Sequence, residues 1–149
     1  MRLTLHTDYA LRVLIHVAIT DGKLITISNI AESFDISKQH LMKVVSDLSQ
    51  KGYLDTVRGR KGGIRLRRPP RDINIGQVVR ATEEARCYRL SGSERLLPDR
   101  ARLRVARRVA RCDSGVLAVL DGYTLADLIK PQRALSSLLR LDQHAARAP

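Results

Sequence analysis

The side chains best suited to chemistry in this sequence are hydrogen-bond donors gathered in two short runs. The first is Lys38-Gln39-His40 with Lys43 beyond it, and the second is the basic, glycine-rich run 58–64. Glutamine can pair with adenine through two hydrogen bonds, lysine can reach guanine or phosphate, and arginine favours a narrow minor groove. Both runs predict contacts to duplex DNA. The candidate contact residues are Ser28, Ser37, Lys38, Gln39, His40, Lys43, Arg58, Gly59, Arg60 and Lys61.

Two helices at a sharp angle are needed to position the first run. Ser28 is expected to cap a short helix that buries Ile30, Ala31 and Phe34, and 35–37 forms a tight connection. Ser37 is then expected to cap a longer helix. Two helices joined by a three-residue turn are typical of a helix-turn-helix, in which the start of the second helix meets base edges. A solvated helix face is the alternative for the first run. The predicted buried face of the longer helix is Leu41, Val44, Val45 and Leu48.

A two-stranded wing is expected to carry the second run. Residues 53–57 alternate as in a strand, and 64–66 form its partner. The loop between them holds its basic residues on a flexible glycine frame, which lets the backbone approach a phosphate closely. A basic hairpin directly after a helix-turn-helix favours DNA binding over the solvated-face alternative.

The flanking segments are expected to support this unit. Thr7 is predicted to cap a first helix in which Asp8 suits the helix dipole and His16 lies off the buried stripe, exposed or half-buried. Residues 73–82 predict a short helix packed against the winged domain. The predicted stripe of the first helix is Leu11, Leu14, Ile15, Ala18 and Ile19.

The C-terminal part predicts an apolar helix at 116–120 and a capping box at 124–127. That apolar run exceeds what a solitary helix can hide, so we expect it to pack on a symmetry mate. The tail from Ser136 is expected to fray.

Composition favours a polyanionic partner, nucleic acid before membrane. The chain has 149 residues, a net charge of +12 and a pI near 10.6, with no Trp and one Phe. Few aromatics make stacking on single-stranded bases a poor fit. No apolar run approaches the roughly 18 to 20 residues of a membrane span, the N-terminus does not resemble a signal peptide, and two cysteines are too few for a disulfide scaffold. The cytoplasm is the expected location.

Several stretches together resemble the iron–sulfur winged-helix regulators, in the branch that senses nitric oxide. They are 3–4, 7–12, 37–48, 57–66, 75–80 and 121–128. The resemblance implies a homodimer that binds a palindromic operator, holds an iron–sulfur cluster and releases DNA when nitric oxide attacks the cluster. In that family three cysteines hold the cluster, and an acidic residue from the first helix of the other subunit completes it. Asp8 matches the acidic position, although a helix-start aspartate explains it equally well.

The cysteines depart from the family pattern. Cys87 alone falls within 85–110, where the three-cysteine loop is expected, and Cys112 lies beyond it. Cluster sites usually need about four ligands, mostly thiolate, so both cysteines are also explained as buried or incidental thiols. Nine arginines crowd 85–111 without a helical stripe, and the family pattern resumes near Gly115. A shifted reading frame between about 85 and 114, divergence to a cluster-free regulator, and an arginine-rich segment that touches DNA backbone are the three explanations.

The expected architecture is mostly α with a small β-wing. It comprises a winged helix-turn-helix domain (1–84), an atypical segment in place of the cluster loop (85–114) and a dimerisation helix with a tail (115–149). The expected function is a nitric-oxide-responsive repressor, with a cluster-free winged-helix regulator as the alternative. An enzyme is disfavoured because the four histidines show no motif spacing with either cysteine. A non-specific RNA- or membrane-binding basic protein is a further alternative.

Overall fold

The computed structural model describes residues 3–20, 22–59, 62–90, 115–130 and 135, and for 84–90 it gives the backbone alone. Within these ranges no helix is long and apolar enough to cross a membrane. The predicted class is confirmed, since the fold is mostly helical with one two-stranded sheet. The elements are α1 (Leu5–Ile19), α2 (Ile27–Phe34), α3 (Lys38–Gln50), β1 (Leu54–Val57), β2 (Gly63–Leu66), a 3₁₀ turn (Pro70–Asp72), α4 (Ile75–Leu90), a helical segment at 115–120 and α5 (Leu125–Leu128).

The helix-turn-helix forms as predicted, with different capping. Asp35 takes the left-handed conformation at φ 52° and ends α2, and all four predicted core residues of α3 are buried. The cap of α2 is Thr26, whose hydroxyl accepts a hydrogen bond from the backbone amide of Asn29. The prediction of Ser28 as the cap was therefore wrong. Ser37 occupies the cap position of α3 without a side-chain hydrogen bond.

The wing is an antiparallel hairpin in which Leu54 faces Leu66 and Val57 faces Gly63. Ile25 also pairs with Ile64, which fastens β2 to the strand-like residues before α2. Gly59 has φ 117° in the turn, a conformation that an L side chain adopts only under strain. The wing turn therefore depends on glycine where the chain reverses.

Helix α1 is more deeply buried than its stripe predicted. Thr4, not Thr7, is its cap, and the Thr4 hydroxyl accepts the Thr7 amide. His16 is fully buried, where its Nε2 lies 3.1 Å from Ser33 Oγ and its ring meets the edge of Phe34. The exposed or half-buried position predicted for His16 was wrong because Ser33 and Phe34 of α2 cover this side of α1.

Helix α4 and the residues near 120–129 form one packed unit with the winged domain. The helix is longer than predicted, 16 residues, and begins at Ile75. The Leu125 amide donates to Ile73 O at 2.8 Å and the Ile75 amide to Tyr123 O at 3.0 Å. Leu125 is fully buried in the same hydrophobic core as α1 and α3. The predicted capping box at Thr124 and Asp127 is confirmed.

Gly76 lets the loop before α5 approach α4 closely. A Cβ at this position would collide with the Asp121 carboxylate. That carboxylate accepts two hydrogen bonds from Arg80, at 2.6 and 2.5 Å. The paired guanidinium lowers the pKa of Asp121 below its usual range.

Candidate nucleic-acid interface

The outward side of α3 presents the polar residues that the sequence singled out. Lys38, Gln39, His40 and Lys43 are all exposed, because the opposite side of the helix is the buried stripe. Within the described part of the chain, no carboxylate pairs with Lys38 or Lys43. This side of α3 therefore offers donors and positive charge without internal neutralisation.

His40 lies toward α1. Its ring centroid is 6.5 Å from that of Tyr9, and the two rings border a cleft of about 170 Å³. One helical turn separates residues at i and i+4, so Gln39 and Lys43 share a line that His40 flanks. His40 therefore occupies the edge of the surface. Gln39 and Lys43 lie on the side opposite the buried stripe, and Lys43 also lines the cleft.

A carboxylate on α3 fixes the orientation of the helix. Asp47 Oδ2 lies 3.0 Å from His6 Nε2 at the start of α1 and 2.6 Å from Lys51 Nζ. Partial burial raises the pKa of Asp47, but the hydrogen bonds from Lys51 and His6 outweigh it and the net pKa is lowered. Sequence reasoning missed this contact because His6 and Asp47 are 41 positions apart and no local motif links them.

The described wing residues extend the basic surface. Arg58 and Gly59 are exposed at the end of β1, and no described carboxylate pairs with Arg58. Arg60 and Lys61 lie outside the described residues. Ser28 is half-buried in the first turn of α2.

An open cleft of about 460 Å³ separates α3 from the wing. Its lining combines apolar and uncharged polar side chains with one arginine. None of the residues that line it is acidic: Ile27, Met42, Val45, Ser46, Ser49, Gln50, Thr56 and Arg58. The cleft therefore suits a ligand that is negatively charged at its edge and apolar in part.

Asp8, the proposed cluster ligand from α1, already has a partner. Its Oδ2 accepts a hydrogen bond from Arg12 Nε at 2.8 Å, and the Arg12 guanidinium lies 5.5 Å from the centroid of Phe34. This ion pair is roughly half exposed on both sides. Asp8 thus begins a chain of contacts that leads to α2.

The donor set does not fit an iron–sulfur cluster. The whole chain has two cysteines, and a cluster usually takes about four ligands, mostly thiolate. Cys87 lies in α4, where only the backbone is described, and Cys112 lies outside the described residues. Among the described residues, no group of three or more His, Cys, Asp or Glu side chains is placed to hold a metal ion.

A second carboxylate that the sequence did not reveal joins α1 to α4. Glu83 Oε1 accepts hydrogen bonds from the Thr4 amide at 2.8 Å, the Thr4 hydroxyl at 3.0 Å and the Thr7 hydroxyl at 2.6 Å. Thr82 is buried beside it, 2.9 Å from Thr7 Oγ1. The start of α1 is therefore held by the helix that leads into 85–114.

The exposed α3 surface and the adjoining wing define a winged-helix DNA-binding protein. The chain belongs to the Rrf2 family, described as an iron-dependent transcriptional regulator, which it matches over residues 3–131. It is a transcriptional regulator and not an enzyme, since its relatives are regulators.

Curated relatives and a solved structure agree with this assignment. The chain is 46% identical over 145 residues to the HTH-type transcriptional regulator NsrR of Geobacillus kaustophilus, a match that covers 94% of this chain and 97% of that relative. It is 45% identical over 148 residues to NsrR of Bacillus subtilis, covering 96% of this chain and 100% of that protein. The oxidized form of Staphylococcus aureus CymR superposes with a TM-score of 0.64 at 28% identity, covering 87% of this chain and 97% of CymR. The predicted family resemblance is confirmed.

Proposed function

We propose that this protein binds a palindromic operator as a homodimer, with α3 in the major groove and the wing arginines in or near the minor groove. The observation that carries the proposal is the set of exposed cations, Lys38, Lys43 and Arg58, for which the described part of the chain supplies no carboxylate. Phosphates of duplex DNA are the complementary charge. In a two-fold dimer the half-sites lie about one helical turn apart.

Two substitutions separate base recognition from phosphate attraction. Gln39→Ala removes an amide able to pair with adenine, so it should relax base preference at one position in each half-site. Lys61→Ala removes a charge, so it should weaken binding to all sequences and reduce the salt slope by about 0.9 for each phosphate that the protein no longer neutralises. Fluorescence anisotropy across a salt series measures both. If both variants bound the operator like the unmodified protein, this docking arrangement would be wrong.

The first candidate for regulation is repression released by nitric oxide. The resemblance to the nitric-oxide-sensing branch and the NsrR name of the curated relatives support it. In this arrangement 1–84 bind DNA, 85–114 stand in place of the cluster loop and 115–149 supply a dimerisation helix and tail, in a cytoplasmic protein. The exposed apolar residues Val116 and Val119 support a partner for the segment at 115–120.

The second candidate is a cluster-free regulator with the same DNA-binding unit. Its support is the donor set, because one protomer has two cysteines and Asp8 pairs with Arg12. The absorption spectrum of protein purified anaerobically and reconstituted with iron and sulfide separates the candidates. A brown protein with a band near 400 nm supports the cluster, and a colourless one supports the cluster-free form.

A shifted reading frame across about 85–114 is one explanation for a segment that lacks the expected three-cysteine loop while the residues on both sides keep the family pattern. The near-complete coverage of the NsrR relatives supports it, since the length is preserved although nine arginines crowd 85–111. Resequencing the coding region tests it directly. An unbroken frame that encodes this chain would exclude the shift.

A further inference from the structure

One apolar side chain on α3, Met42, lies outside the buried stripe of the helix. Met42 is 54% exposed, whereas the other apolar residues of this helix, Leu41, Val44, Val45 and Leu48, are buried. It contributes nothing to the core stripe. Single exposed apolar side chains are common on protein surfaces, so the position of Met42 on the helix proposed to face DNA, rather than its exposure alone, makes it a candidate for a base contact.

Met42 lies in line with the residues expected to meet base edges. Gln39, Met42, Lys43 and Ser46 follow one another at i, i+3, i+4 and i+7, and all four are exposed. Residues at these spacings share one side of a helix. If Gln39 and Lys43 approach the major groove, Met42 approaches it with them.

The surroundings of Met42 favour DNA over a protein partner. The cleft of about 460 Å³ between α3 and the wing has Met42 on the α3 side and Thr56 and Arg58 on the wing side, and none of its lining residues is acidic. A duplex supplies phosphates for the arginine. In the major groove the 5-methyl group of thymine is the apolar feature available to an apolar side chain.

We propose that Met42 contacts the 5-methyl group of a thymine in the operator and makes thymine preferred at one base pair of each half-site. This inference rests on the proposed DNA-binding function. The unbranched, polarisable thioether adapts to the shape of the groove without a fixed rotamer. Burial of one methyl group on binding corresponds to about fourfold in affinity.

The test uses the full-length protein and an operator selected from a random duplex pool. Each thymidine is replaced singly by deoxyuridine, which removes only the methyl group. In each half-site, one of these single replacements should weaken binding by about fourfold, and the others should have little effect. Met42→Ala should bind both duplexes alike, and Met42→Leu should restore the preference for thymine. Because Met42 is exposed, these variants should keep the unfolding midpoint of the unmodified protein.

Lys43→Ala is the matched control on the neighbouring position. It should weaken binding to both duplexes equally and keep the discrimination between thymidine and deoxyuridine. The proposal is overturned if no deoxyuridine position matters, if Met42→Ala keeps the discrimination, or if Met42→Ala changes oligomeric state rather than base preference. If no sequence is selected at all, the proposed function fails as well; if a sequence is selected and Gln39→Ala relaxes it, only the role of Met42 fails.

Discussion

The charged groups on the outward side of α3 and those between α1 and α4 differ in whether they have partners within the protein. On α3, Lys38 and Lys43 are exposed and lack a described carboxylate partner. Between α1 and α4, by contrast, Glu83 accepts hydrogen bonds from Thr4 and Thr7. The first region leaves its charge available to a ligand, and the second uses a carboxylate to hold two helices together. We call the first region the recognition surface, defined as the exposed residues Lys38, Gln39, His40, Met42, Lys43 and Ser46 of α3 together with Arg58 of the wing. We call the second the junction, defined as the contacts of α1 with α4 and of both with 115–130.

The difference indicates how the molecule divides stability from binding. Substitutions at the junction should change the free energy of unfolding, while those at the recognition surface should change DNA affinity with little effect on folding. His6 and Asp47 connect the two regions, because they fix α3 against the start of α1.

The largest effect on stability is expected at the junction core. Leu125→Ala should lower the free energy of unfolding by about 3 kcal/mol, because the side chain is fully buried and its removal leaves a cavity. Urea denaturation at fixed protein concentration measures it. Leu128→Ala, at a residue 39% exposed, is the control and should cost far less. Equal costs for the two variants would show that α5 does not complete the core.

A smaller loss is expected when the carboxylate of the junction is removed. Glu83→Ala should cost about 2 kcal/mol, since three donors at the start of α1 lose a charged acceptor. Thermal or urea unfolding measures the loss, and Glu83→Gln should recover part of it. Gln77→Ala, at an exposed position on the same helix, is the control and should change stability little. If the Glu83→Ala protein were as stable as the control, the hydrogen bonds to Glu83 would not stabilise the contact between α1 and α4.

A substitution at the recognition surface should change DNA affinity and leave stability unchanged. Lys43→Ala should leave the unfolding midpoint unchanged and weaken operator binding about tenfold, with a salt slope smaller by about 0.9. Fluorescence anisotropy at several salt concentrations gives affinity and slope together. Loss of stability without loss of affinity would contradict the division between the two regions.

The smallest effect is expected for Asp121→Asn, because the ion pair with Arg80 is exposed to solvent. The pKa of Asp121 is lowered by Arg80, so its contribution is present above the unfolded pKa of aspartate, about 3.9, and is lost as the pH falls through the folded value. Unfolding of the variant and the unmodified protein should therefore differ slightly at neutral pH and coincide in strong acid. A difference that persists in strong acid would assign the effect to the packing of the side chain at position 121 against Gly76 instead of to the charge.

Local patterns predicted the recognition surface well. The apolar spacing of α3 predicted its buried side. The alternating pattern predicted both strands of the wing, and each predicted strand begins within one residue of the observed one. These elements are determined by neighbours a few positions apart, so the sequence shows them directly. The role of each candidate contact residue stays a prediction.

Sequence patterns did not predict the junction, because the residues that contact each other there are far apart along the chain. Thr4 and Glu83 are 79 positions apart, and no spacing rule joins them. His16 was misplaced for the same reason, since the covering residues Ser33 and Phe34 belong to another helix. Met42 lies off the apolar stripe of α3 in the sequence, but its exposure beside Gln39 and its place in the cleft with the wing became clear only in the structure.

Sequence-specific binding by the purified protein, measured anaerobically as isolated and again after reconstitution with iron and sulfide, is the most direct test of the central claim. Its affinity for the operator selected from random duplexes is compared with that for a scrambled duplex of equal length and composition. The recognition surface predicts a preference on the order of a thousandfold at physiological salt. Equal affinity for the two duplexes in both preparations, with the same salt slope, would contradict it and leave only non-specific attraction of a basic protein to DNA.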